Sequence, residues 1–162
     1  MKIYPLVFGV ALLGSAMLHG RIGESEMQCF ERYGRKVLEE KNLGHAKQIK
    51  FKSAEFEVTG IFINGKAECL EFEKAGELSG PEVRDLMEKN GLVPSLATES
   101  RKPVRMGYNV LEEITWTFPE RVAILNALGD TLTISTMAFA AAISGAVQDS
   151  KEEKASQTTE GF

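Results

Sequence analysis

Few side chains in this sequence are of the types that usually perform catalysis. His45 is the one histidine within residues 21–162, so a Ser-His-Asp or Cys-His relay would have to use it. It lies in a stretch of glycine and lysine, which is typical of a solvated loop histidine. The sequence therefore favours a chain without a catalytic histidine.

Two pairs of adjacent carboxylates, Glu39-Glu40 and Glu112-Glu113, remain as candidates for acid–base chemistry or calcium binding. Neighbouring side chains point to opposite faces of a strand and diverge on a helix, so such a pair is solvated by default. Neither pair has the alternating Asp/Asn spacing of a calcium loop. The chain also lacks the closely spaced Cys and His residues of a zinc site and a phosphate-binding glycine cluster. We therefore predict no catalytic residue, no metal site and no cofactor.

Cys29 and Cys69 are the two cysteines of the chain. An oxidising compartment would permit a disulfide between them. A disulfide requires Cα atoms within about 7 Å and converging side chains. We expect Cys29 on the inner face of a helix and Cys69 in a strand irregularity, so two free thiols are favoured and the disulfide is the alternative.

The first residues have the pattern of a secretory signal. Lys2 is the single positive charge, the segment from Leu6 to Leu13 is almost purely apolar, and Gly14-Ser15-Ala16 offers small residues at a cleavage site. The apolar run is shorter than the about 20 residues that span a bilayer. We expect a signal peptide over residues 1–16, with residue 20 as the alternative end. The mature protein would be periplasmic or secreted, with no membrane span.

The charge balance disfavours nucleic acid as a partner. The formal net charge is −4, and removal of Lys2 with the signal peptide makes it −5. Nucleic-acid binding requires a basic patch, which this mildly acidic chain does not offer.

Turn and capping signals predict an α+β fold over residues 21–148. One helix follows Ser25 and ends near Gly34; a second follows Ser79 or Gly80 and ends at Asn90-Gly91. Residues 49–72 and 114–134 alternate between apolar and polar, as strands with one buried face do. We expect polar loops over residues 39–45 and 94–103. Residues 138–148 fit either a helix or an extension of the last strand, and residues 149–162 should be a disordered tail.

This order predicts two tandem helix-plus-antiparallel-strand repeats, residues 21–75 and 79–140, with the helices packed on one face of an antiparallel sheet. Asn64-Gly65 is the type I′ pair of a tight hairpin. In the returning strand, the apolar residues change parity between Ala67 and Leu70, which predicts a β-bulge near Glu68-Cys69.

The same alternation predicts a surface for interaction. Phe56, Val58 and Phe62 would face the helices, so Thr59, Ile61 and Ile63 would face the other way. Exposed apolar patches usually mark interaction sites, unless the other half of the protein or a dimer mate covers them.

One string of residues resembles a known module. The string consists of Gly23-x-Ser25, Cys29, Tyr33-Gly34 and Phe62-x-Asn64-Gly65-Lys66-Ala67-x-x-Leu70. It is similar to the repeat of the β-lactamase-inhibitor-protein fold, which also occurs in the small lipoprotein of outer-membrane assembly machinery, and to uncharacterised exported bacterial proteins. The resemblance covers about residues 22–73, and residues 79–140 match only loosely. It implies an exported binding or assembly module and no enzymatic residues.

Two hypotheses for function follow from the sequence. The first is an exported, non-enzymatic binding or scaffold module with a protein partner or self-association. The alternative is a small secreted hydrolase that uses carboxylates such as Glu112 or Glu113. A deep pocket with converging carboxylates would favour the hydrolase, and a broad open sheet would favour the binding module.

Overall fold

The computed structural model describes residues 21–34, 37–53 and 55–145. The predicted signal peptide (residues 1–16, alternative end 20) and the predicted tail (residues 149–162) lie outside the described residues, as do residues 146–148.

The first half of the chain begins with a helix and continues with four strands. Helix α1 spans Glu26–Tyr33 and is followed by β1 (Val37–Leu43), β2 (Ala46–Lys52), β3 (Glu57–Ile63) and β4 (Lys66–Glu73). The Ser25 hydroxyl accepts the Gln28 backbone N–H, and the Gln28 side chain accepts the Ser25 backbone N–H. This capping box satisfies two amides that the helix itself cannot pair, so the helix begins where the sequence predicts.

The second half begins with α2 (Gly80–Lys89), whose capping box is formed by Ser79 and Glu82. A 3-10 turn follows at Pro94–Leu96. The strands are β5 (Thr98–Met106), β6 (Asn109–Thr117), β7 (Arg121–Leu125) and β8 (Thr131–Thr136). Residues 137–145 form helix α3, so the described part of residues 138–148 is a helix and not an extension of the last strand.

All eight strands form one antiparallel sheet in the order β1-β2-β3-β4-β8-β7-β6-β5. The prediction of two tandem helix-plus-strand repeats is therefore wrong: the molecule is mostly sheet, and the pairing of β4 with β8 makes its strands one continuous layer. Leu70 lies opposite Ile134 and Phe72 opposite Leu132 in this pairing. The outer edge of β4 has backbone groups that need partners, and β8 supplies them. Alternation of apolar and polar residues predicts individual strands, but it does not indicate which distant strands pair with each other.

Two predicted loops are also wrong. Residues 37–43 form strand β1 and residues 98–106 form strand β5, the two edges of the sheet. Most of their side chains are polar and exposed, so the alternation that indicates a half-buried strand is absent. Charged residues and Pro103 on these edges protect the sheet against the addition of foreign strands.

The hairpin and the bulge lie where the sequence predicts them. Asn64 and Gly65 have φ values of 51° and 72°, as a type I′ turn requires. Ile61 pairs with Cys69 and Phe62 with Ala67, which leaves Glu68 as the extra residue between them.

The core lies between the sheet and helices α1 and α2. Both helices contribute to one cluster of buried side chains, Cys29 from α1 and Leu86 and Met87 from α2, packed against strand residues such as Leu70 and Ile134. Burial of these apolar side chains is the main stabilising contribution to the fold. Because the cluster occupies one side of a single sheet, the opposite side of the sheet is a second, separate surface.

Candidate functional site

The side of the sheet away from the core is called the open face here. Its side chains alternate along each strand with those of the core cluster. The strand registers align them in two rows across the sheet. One row is Gln48, Ile61, Cys69, Ser135, Val122, Thr117 and Thr98; the other is Lys50, Thr59, Glu71, Thr133, Ile124, Thr115 and Ser100. The open face is thus a surface of aliphatic and hydroxyl side chains that crosses the sheet.

The predicted surface residues lie together on this face. Thr59, Ile61 and Ile63 are on β3, in strand positions that alternate with the buried Val58 and Phe62. All three are partly exposed rather than fully exposed. The alternation therefore places them opposite the core, with part of their surface accessible to water.

The centre of the open face is already shielded from water. Cys69, Ser135 and Val122 are only 5%, 4% and 6% exposed, and neither Cys69 nor Val122 belongs to the core cluster. Burial raises the pKa of the Cys69 thiol to about 12. Burial, together with the nearby Glu73, also raises the pKa of Glu71 above its ordinary value.

The charges of the open face are paired at one end of strands β2, β3 and β4. Lys50 Nζ lies 2.7 Å from a Glu57 carboxylate oxygen and 3.4 Å from one of Glu73. Lys52 Nζ lies 3.2 Å from the other Glu57 oxygen. The hydrogen bond to Glu57 raises the pKa of Lys50, and the hydrogen bond from Lys50 lowers the pKa of Glu57. These four charges satisfy one another, so Glu71 and a majority of apolar and hydroxyl side chains make up the rest of the two rows.

The candidate disulfide is not formed. Cys29 and Cys69 are both buried free thiols. Cys29 belongs to the core cluster and burial raises its pKa to about 12. Cys69 is on the open face instead, so the sheet backbone lies between the two side chains.

The candidate catalytic carboxylates do not converge. Glu112 and Glu113 are consecutive residues of β6, so their side chains leave opposite faces of the strand. Glu112 accepts a hydrogen bond of 3.2 Å from Arg101 Nη1. Glu40 lies 3.0 Å from Lys47 Nζ, and Glu39 lies 2.7 Å from Lys41 Nζ. Glu39, Glu40 and Glu112 are therefore part of surface ion pairs.

His45 lies in the two-residue turn between β1 and β2 and is exposed. Among residues 21–34, 37–53 and 55–145, no three His, Cys, Asp or Glu side chains come close enough to hold a metal ion.

No helix in these ranges has both the length and the apolar character needed to cross a membrane.

Sequence reasoning missed a cleft between α2 and strands β5 to β7. Its volume is about 440 Å³, within the range of ligand-sized pockets. Apolar residues line most of it: Leu78, Val83, Met87, Ile114, Trp116 and Leu125. Trp116 Nε1–H donates a 3.0 Å hydrogen bond to Glu99, which also accepts one of 2.9 Å from Arg101 Nε. This network fixes the indole of the only tryptophan in the chain against the wall of the cleft.

A projecting hairpin arm, residues 102–113, was also missed. Strands β5 and β6 pair with each other along their whole length, but β6 pairs with β7 only from Ile114 to Thr117. The arm therefore extends beyond β7 as a two-stranded ribbon, over roughly 15 Å at the usual rise of a strand. Tyr108 at its tip is fully exposed, and Val110 is 60% exposed. Gly107, with φ of 64°, was the one signal in the sequence for this turn.

Comparisons with known proteins add little to this geometry. No family model matches the sequence, and a search of curated proteins found no match. A crystal structure of a cysteine-rich secretory protein from Staphylococcus aureus is similar at a TM-score of 0.41 with 8% sequence identity. The alignment covers 73% of this chain and 45% of that protein. A likeness this weak carries no conclusion about fold or function.

Proposed function

We propose that this protein is an exported, non-enzymatic binding or scaffold module that contacts a partner protein through the open face. The observation that supports this most is the one-sided core. Helices α1 and α2 cover one side of the sheet, while the other side carries Ile61, Ile63 and Ile124 among hydroxyl side chains. These isoleucines are partly exposed, and apolar groups collected on an accessible surface usually mark an interaction site.

The charge pattern of the open face indicates the kind of partner. Lys50, Lys52, Glu57 and Glu73 neutralise one another, and Glu71 adds a further carboxyl group, so the face offers no excess positive charge to a polyanion. The formal net charge of −4 also disfavours nucleic acid. The partner that fits is a folded protein whose own surface is apolar at its centre and can hydrogen-bond with hydroxyl groups.

A secreted hydrolase is the weaker alternative. A two-carboxylate mechanism needs both carboxyl groups in one site, where they flank the scissile bond at a separation of about 5–10 Å. Glu112 and Glu113 point to opposite faces of β6, and Glu112 is engaged by Arg101. We therefore assign these glutamates to the surface and propose no reaction.

Export rests on the signal pattern of residues 1–16. We propose a periplasmic or secreted location after cleavage behind Ala16. Intact-mass measurement of the protein recovered outside the cytoplasm tests this. The expected mass lacks residues 1–16, and a mass that retains them would contradict the proposal. The resemblance to the β-lactamase-inhibitor-protein-like module stays a prediction.

Site-specific photocrosslinking in the producing cell tests the partner surface. A photoreactive amino acid at Ile63 should form a defined crosslink to one protein, because Ile63 lies within the proposed contact. Leu96, which is 76% exposed on the 3-10 turn, provides the control position. Equal crosslinking from both positions, or none from Ile63, would contradict a docking role for the open face.

A further inference from the structure

The hairpin arm has an unusual surface. Its tip exposes Tyr108 completely, together with Met106 at 45% and Val110 at 60%. Arg105 is the only charged residue between Pro103 and Leu111. A two-stranded hairpin with no third strand is marginally stable in water. An arm with this composition is expected to gain stability when an apolar surface covers it.

The cleft beside the base of the arm presents the complementary surface. Ile114, Trp116 and Leu125 of the sheet are its partly exposed apolar residues, while Val83 and Met87 of α2 lie deeper and are 5% and 1% exposed. Arg84 of α2 also lines it. A tyrosine fits such a site, because its ring fills apolar space, its hydroxyl can hydrogen-bond, and an arginine can stack on the ring.

We infer that the arm of one copy docks into the cleft of a second copy, so that the chain forms a two-fold dimer by reciprocal exchange of arms. Every copy carries both the arm and the cleft, and the cleft is formed partly by the base of the arm. When the two arms cross, each arm occupies the cleft of the other copy. The same contact is then made twice, and no arm or cleft remains for a third copy. The arm does not reach its own cleft in this way, because it extends away from it as a continuation of β5 and β6.

The arm carries enough exposed area for its side of such a dimer. Stable interfaces bury at least about 1,200 Å² in total. This total is shared by two arm–cleft contacts, and each contact buries an arm and a cleft. One arm therefore has to bury about a quarter of the total, about 300 Å², of its own surface. A single aromatic side chain supplies about 150–250 Å², and Tyr108 is fully exposed in the single chain. Met106 and Val110 supply the remainder.

Sedimentation equilibrium of the purified full chain over a wide concentration range tests the inference. We expect a monomer–dimer equilibrium, whose dissociation constant rises at least about tenfold in Tyr108→Ser, as for a central aromatic contact. Leu128→Ser is the matched control, because Leu128 is a 49% exposed residue of the turn between β7 and β8. A monomer at every concentration, or a dimer that Tyr108→Ser leaves unchanged, would overturn the inference.

The fluorescence of Trp116 shows where the arm docks. Trp116 is the only tryptophan and lines the cleft, so its emission should shift to shorter wavelength as the dimer forms. The shift should be absent in Tyr108→Ser. A dimer whose Trp116 emission equals that of the monomer would place the arm elsewhere and overturn the inference. Cosedimentation of the wild type, but not Tyr108→Ser, with phosphatidylcholine–phosphatidylglycerol vesicles would instead assign the tip to lipid.

Discussion

Gly60 is the position where the packing behind the open face can be tested most sharply. It lies in the middle of β3, between Ile49 of β2 and Leu70 of β4. A Cβ atom added at Gly60 would lie 2.7 Å from Cε2 and 3.0 Å from Cζ of Phe62. The Phe62 side chain is 1% exposed, so its ring has little space into which it can move. Gly60→Ala should therefore overpack the core.

The expected cost follows from two opposing effects. Overpacking a well-filled core costs typically about 1–3 kcal/mol. Replacing glycine reduces the entropy of the unfolded chain and recovers up to about 1 kcal/mol. We expect Gly60→Ala to lower the free energy of unfolding, measured by urea denaturation, by about 1–2 kcal/mol.

A double-mutant cycle isolates the contact between Gly60 and Phe62. Phe62→Leu removes the ring atoms that the new methyl group would meet. The double variant Gly60→Ala/Phe62→Leu should therefore be more stable than the sum of the single changes indicates, by at least about 1 kcal/mol. A Gly60→Ala variant as stable as the parent, or strictly additive effects, would refute the packing described for β3.

Two further predictions concern groups with shifted pKa values. Burial raises the pKa of Cys29 and Cys69 to about 12. A thiol-alkylating reagent at mildly alkaline pH should therefore label neither residue rapidly in the native protein, and should label both in denaturant. Rapid labelling of the native protein, or no labelling of the unreduced denatured protein, would contradict free buried thiols. Hydrogen bonds from Lys74, and to a smaller extent from Ser79, lower the pKa of Glu82 from 4.5 to about 2. The ionised Glu82 should therefore stabilise the fold above about pH 4.5. This stabilisation should be lost as the pH falls to about 2. Glu82→Gln should remove that part of the acid dependence in thermal unfolding, and an unchanged profile would count against the capping box.

Local signals in the sequence are sufficient to predict both main helices and the central hairpin. Ser25 and Ser79 cap α1 and α2 through residues only three positions away. Asn64-Gly65 determines its turn through its own backbone preferences. The bulge at Glu68 follows from a change of parity within one strand. Each of these features depends on neighbouring residues alone.

The features that the sequence did not indicate depend on the position of a strand in the sheet or on distant pairing. Strands β1 and β5 form the edges of the sheet, where both faces meet water and apolar alternation is not required. The β4–β8 pairing joins residues that are 58 to 66 positions apart, such as Leu70 and Ile134. The projecting arm exists because β7 ends at Leu125 while β6 continues beyond it. The open face was predictable because alternation along β3 separates Ile61 and Ile63 from the core.

The central claim is that Ile61 and Ile63 serve binding rather than the core. The variant Ile61→Thr/Ile63→Thr tests it most directly, because threonine keeps β-propensity and removes apolar area. Its binding to the protein crosslinked from Ile63 and its free energy of unfolding are measured together. Val58→Thr is the matched control, since Val58 is on the same strand, faces the core and is 1% exposed.

We expect the double variant to remain folded and to lose binding, whereas Val58→Thr should lose stability as changes in a buried core do. A loss of several kcal/mol in the double variant, comparable to core truncation, would make these residues part of the core. A folded double variant that binds the partner as strongly as the parent would contradict the proposed function of the open face.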